Sequence, residues 1–84
     1  MMFDFDYGLA KKAIEIGTGC VKTKSGFLVD IKHWNFTRTF PIAGYIKILP
    51  GGNLEGWTEK GIHVDYLDDT FDGMNLVLEI YDDY

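Results

Sequence analysis

Trp34, Phe36, Arg38 and Phe40 lie in or beside one short segment of the chain, with His33 adjacent. Trp57 and Lys60 flank a second segment, and Lys22 and Lys24 precede both. Aromatic faces stack on nucleobases, and a guanidinium forks onto phosphate or carboxylate; Arg38 is the only arginine in the chain. This is a nucleotide-sized recognition set, with Trp34 and Trp57 stacking on bases and Arg38, Lys22, Lys24 and Lys60 holding phosphates. The competing reading is that Trp34, Phe36 and Phe40 cap the open end of a small barrel.

Other groupings carry less chemistry. Asp68-Asp69-Thr70-Phe71-Asp72-Gly73 with Glu79 has the oxygen ligands, central glycine and closing glutamate of a twelve-residue calcium loop. The flanks contradict it: Ile62-His63-Val64 is β-prone where a helix is needed, and Asn75 stands where the loop carries an apolar residue. The segment reads as an acidic turn. His33 and His63 lack the close ligand spacing of a zinc site and read as surface or strand residues. Cys20 near Lys22 and Lys24 has no assignable His-plus-Asn partner and reads as a small buried residue. Gly17-Thr18-Gly19-Cys20-Val21-Lys22 lacks the phosphate-loop spacing and runs from helix to strand, the reverse of that motif. No cofactor, metal or catalytic residue is expected.

The composition sets the frame. The chain has 84 residues, of which 46% are hydrophobic and 25% charged, the balance of an ordinary globular domain and too short for two. With 15% aromatic residues it is too apolar to be disordered throughout. No apolar run approaches the roughly 18 residues of a membrane span, and the acidic start Met1-Met2-Phe3-Asp4-Phe5-Asp6 is unlike a secretory signal. A single cysteine allows no intrachain disulfide, which favours an intracellular setting. The net charge of −5 is uneven: residues 10–49 hold seven Lys/Arg and two Asp/Glu, residues 50–84 one and nine. The two halves attract each other weakly, with salt screening, and nucleic acid is disfavoured as a partner. So small a core invites self-association, and a homo-oligomer is expected.

These residues need elements to position them. Asp6 suits a helix N-cap, Leu9, Ala10, Ala13, Ile14 and Ile16 follow at mostly helical spacing, and Gly17 suits the left-handed position that ends a helix. The period then changes to two. Strands are predicted over 20–23, 27–32, 42–48, 54–58, 62–64 and 76–80, with turns at Lys24-Ser25-Gly26, Pro50-Gly51-Gly52-Asn53 and Glu59-Lys60-Gly61. The fold expected is α+β, mainly β: one N-terminal helix packed on a strongly twisted five- to six-stranded antiparallel meander or small barrel. It forms a single domain over 1–84, with the helix at about 7–16, the β-rich part at about 20–80 and an acidic tail at 81–84.

The order of features adds a resemblance. A helix is followed by Gly-Cys-Val-Lys-Thr-Lys-Ser-Gly, Phe27–Ile31, Phe40-Pro41-Ile42-Ala43-Gly44-Tyr45-Ile46, Glu55-Gly56-Trp57-Thr58-Glu59-Lys60-Gly61 and Asn75-Leu76-Val77-Leu78. Over roughly residues 6–79 this resembles a large, mostly uncharacterised group of small proteins encoded by bacteriophages and prophages of gut anaerobes. Lys24-Ser25 stand where that group carries Arg-Asp, and Phe40 where it carries Tyr. The resemblance implies a β-rich fold and a phage setting, hence the cytoplasm of a bacterial host. In layout the chain is also similar to phage anti-defence sponge proteins, such as those countering Thoeris, which sequester a nucleotide-derived immune signal without catalysis.

The expectation is therefore a non-enzymatic phage protein binding a nucleotide-like small molecule. The alternative is an inhibitor that docks its acidic C-terminal half, through Asp65, Asp68, Asp69 and Asp72, on a basic host protein.

Overall fold

A computed structural model describes residues 1–47, 52–64 and 73–81. Most of the predicted acidic turn at 65–73, part of the turn at 50–53 and the tail at 82–84 lie outside them.

The elements run β1 (Met2–Asp4), α1 (Tyr7–Ile16), β2 (Gly19–Thr23), β3 (Leu28–His33), β4 (Ile42–Ile46), β5 (Glu55–Trp57) and β6 (Leu76–Ile80). The helix forms where its caps dictate. Asp6 is extended and its carboxylate accepts from Leu9 N at 2.8 Å, satisfying a donor that the first turn leaves orphaned. Gly17, left-handed at φ 77°, closes the other end, and Thr18 N donates to Ala13 O at 2.9 Å. Ala10 and Ala13 are the buried helix residues; their small side chains let α1 lie close on β2.

The sheet is six-stranded and antiparallel, in the order β1-β6-β2-β3-β4-β5. The fold is α+β and mainly β, as expected, and the sheet is not closed into a barrel. Strands β2 to β5 form the predicted meander. Two features depart from it. Strand β1 was not predicted, because three residues show no period. And β6 inserts between β1 and β2 instead of following β5, pairing Phe3 with Leu78 and Leu78 with Val21.

Burial alternates as a half-covered strand requires. On β2 Gly19, Val21 and Thr23 are buried and Cys20 and Lys22 are not. The inner face continues through Leu76, Leu78, Val29, Ile42, Ile46 and Trp57. Each large side chain of this set stabilises the fold by about 1.5–3 kcal/mol.

Residues 62–64 do not make a full strand. Trp57 pairs with His63 as one bridge, flanked by Thr58 N to Ile62 O and Val64 N to Gly56 O, both at 2.9 Å. Three further bonds draw the sheet's far end toward the start of β6: Leu76 N to Gly61 O at 2.8 Å, His63 N to Asn75 Oδ1 at 2.9 Å and Trp57 Nε1 to Met74 O at 2.8 Å.

Candidate functional site

Three open cavities that share lining residues adjoin one another as a groove. Its largest part, a cavity of about 1040 Å³, lies between the first turn of α1 and two loop tips, that of the β3–β4 connection and that following β5. An adjoining cavity of about 470 Å³ shares Tyr7, Arg38 and Glu59 with it. A third, of about 180 Å³ on the other side, shares Phe5, Lys60 and Ile62.

Local chemistry fixes each tip. In the β3–β4 connection Phe36 N donates to Pro41 O at 2.8 Å and Phe40 N to Thr37 Oγ1 at 2.8 Å. This tight turn pushes Arg38 and Thr39 outward, and Arg38 is exposed with no ion-pair partner among the described residues. After β5, Gly61 N donates to Thr58 O at 2.8 Å and Ile62 N to Thr58 Oγ1 at 3.1 Å, which puts Glu59 and Lys60 at the tip. Trp34 is held at the groove's end by Tyr7. Their rings meet edge to face at 5.4 Å, and the Tyr7 hydroxyl donates to the Trp34 carbonyl.

The predicted residues therefore separate. Trp34, Arg38, Lys60 and Lys24 line one groove, although they come from distant parts of the chain. Lys24 is at the tip of the β2–β3 turn and reaches the smallest cavity beside Lys60. Trp57 is not available for stacking: it is 0% exposed, its indole N–H is used on Met74, and His63 packs edge-on against it at 5.6 Å. Its assignment to bases is corrected to the core. Lys22 points from the sheet's other face and is held by Glu79 at 2.6 Å, so it is not among the lining residues. That hydrogen bond and its charge hold the Glu79 carboxyl below its ordinary value and raise the Lys22 ammonium above its own. Glu79, the twelfth position of the calcium-like pattern, is a strand residue with a lysine on it.

The loop aromatics also divide. Trp34 turns to Tyr7, whereas Phe40 covers Gly56 and Phe36 stacks on His33 at 5.3 Å, so they do not form one cap. His63, expected at the surface or in a strand, is only 2% exposed, and its Nε2 lies 2.7 Å from Glu55 Oε1.

Sequence reasoning missed Tyr7, Asp6 and Glu59 as groove residues. The signal available was their place: two at a helix start and one at a turn tip, where side chains project. With Arg38 and Lys60 they give the groove mixed charge, two cations and two carboxylates around an aromatic corner. None of the groove's lining residues among those described is a histidine, cysteine or serine. The arrangement suits holding a ligand that has a planar ring, an anionic group and hydrogen-bond donors. No family model, curated protein or solved structure matches the chain. No helix among the described residues is long and apolar enough to cross a membrane.

Proposed function

We propose that the chain is a non-enzymatic binding protein that holds a nucleotide-like small molecule in this groove. It acts as a phage-encoded sponge that removes a nucleotide-derived immune signal in the cytoplasm of a bacterial host. The observation that carries the reading is the convergence of Trp34, Arg38, Lys60 and Lys24 on one groove. In it the ring stacks at the Tyr7–Trp34 corner and the phosphates lie along Arg38 toward Lys60 and Lys24. Asp6 and Glu59 accept from the ligand's hydroxyl or amine groups.

The test is a calorimetric titration with AMP and ADP, with the nucleotide recovered afterwards. Both bind and are recovered chemically unchanged. Charge-assisted hydrogen bonds contribute about 1.5–3 kcal/mol, so Arg38→Ala weakens binding by roughly tenfold or more. Trp34→Ala weakens it by a similar factor through lost stacking. Unchanged affinity in both variants, with the fold intact by circular dichroism, would remove the site assignment.

A further inference from the structure

Among the described residues, no strand pairs with the outer edge of β1. Met1 N donates to Ile80 O at 2.8 Å and Ile80 N to Met1 O at 2.9 Å, so these residues form a hydrogen-bonded pair. Such pairs alternate along antiparallel strands. Phe3 therefore turns its backbone groups to β6, and Met2 and Asp4 turn theirs outward. The opposite edge is covered: Gly56 O and Thr58 N on β5's outer side are bonded to Val64 N and Ile62 O. Exposed edges in native proteins are commonly blunted by lysine, proline or a bulge. Strand β1 has no lysine, proline or bulge; it is three residues long with one charge, Asp4, and its apolar side chains stand in solvent, Met2 at 52% and Phe3 at 42%, with Met1 at 64% beside them.

We infer that a second copy of this chain pairs here, β1 to β1, antiparallel across a two-fold axis through Phe3. The register follows from the outward groups. Met2 of each copy opposes Asp4 of the other, and four backbone hydrogen bonds are made. Phe3 then meets its own symmetry mate in a non-hydrogen-bonded pair, where Cβ atoms come within about 5 Å. Charge selects this orientation: each Asp4 faces a methionine and the two carboxylates lie at opposite ends, whereas a parallel pairing aligns them. The two six-stranded sheets become one. The shared edge is short compared with the ~800 Å² per partner of a stable interface, so the dimer dissociates on dilution. The inference does not depend on the groove or its ligand.

The test is sedimentation equilibrium on the full chain across a wide concentration range, for wild type, Phe3→Asp and Phe3→Lys. Wild type rises toward twice the monomer mass with concentration. Each charged variant stays at the monomer mass, because like charges meet on the axis. Mixed in equal amounts, the two variants regain the doubled mass. A wild type that stays monomeric, single variants that still dimerise, or a mixture that stays monomeric would each overturn the proposal. Should either variant lose its β-sheet signal, Met2→Pro replaces it. That change removes only the outward N–H and abolishes the dimer, and a retained dimer refutes the edge pairing.

Discussion

In residues 23–27 Thr23 N donates to Phe27 O at 2.8 Å, Gly26 N to Thr23 O at 2.9 Å and Phe27 N to Thr23 Oγ1 at 3.1 Å. In residues 58–62 the corresponding bonds are 2.9, 2.8 and 3.1 Å. The backbone turn is the same, Thr-x-x-Gly, and both glycines are left-handed, at φ 98° and 82°. The surroundings differ. A Cβ on Gly26 would meet open space, whereas a Cβ on Gly61 would lie 2.9 Å from the Phe5 ring. The strand residue before the first turn is Lys22, on the sheet's outer face; before the second it is Trp57, in the core. Turn geometry is thus written locally, and what a turn is worth depends on what the rest of the chain packs against it. Both turns deliver a lysine, Lys24 and Lys60, to the same cavity.

Breaking the second turn has the largest effect. Gly61→Ala adds the strain of a left-handed non-glycine residue to a clash with Phe5, a loss of about 3 kcal/mol by urea unfolding. In a Phe5→Ala background that loss falls to the strain alone; no reduction there would show that Phe5 does not crowd position 61. Trp57→Phe follows, at about 2 kcal/mol, because the Met74 carbonyl loses its donor and the core loses volume. Gly26→Ala gives about 1 kcal/mol, strain without a clash, and a value equal to that of Gly61→Ala would erase the distinction between the turns.

The smallest effect sharpens the contrast at the first turn's root, and it depends on pH. Lys22 donates to Glu79 and holds its carboxyl below the ordinary 4.5, while Glu79 raises the Lys22 ammonium above its ordinary 10.5. The depressed carboxyl gives stability that is present above its unfolded value and lost as pH falls through the folded one. The raised ammonium gives stability that is present below its unfolded value and lost as pH rises through the folded one. Lys22→Met therefore flattens both limbs of the unfolding midpoint against pH. Profiles that run parallel from acid to alkali would show that the pair contributes nothing.

The helix was legible in the sequence because its determinants are local: Asp6 and Gly17 stand at its two ends and an apolar face lies between them. The turns at Gly26 and Gly61 were legible for the same reason. Strand β1 was not, since Met2-Phe3-Asp4 becomes a strand only through β6. Trp57 was assigned to the wrong side because three residues of strand do not reveal which face is inward. Lys22 looked available because its partner Glu79 is remote in sequence and joins it only through the β2–β6 pairing. Trp34, Arg38, Lys60 and Lys24 were gathered by residue type alone, and the groove they share needed the start of α1 and loop tips far apart in sequence to meet.

The position of β6 between β1 and β2 has a consequence for synthesis. The strand on which β1 must pair is the last of the described strands, and the Met1–Ile80 contact spans 79 residues of sequence. Until β6 is made, β1 has no strand to pair with, although the β2–β5 meander can already form with α1 on β2. Pairings of such long sequence range fold in milliseconds to seconds, slower than local hairpins. Until β6 emerges, the meander's β2 edge, which β6 later covers, is open to any other strand it meets.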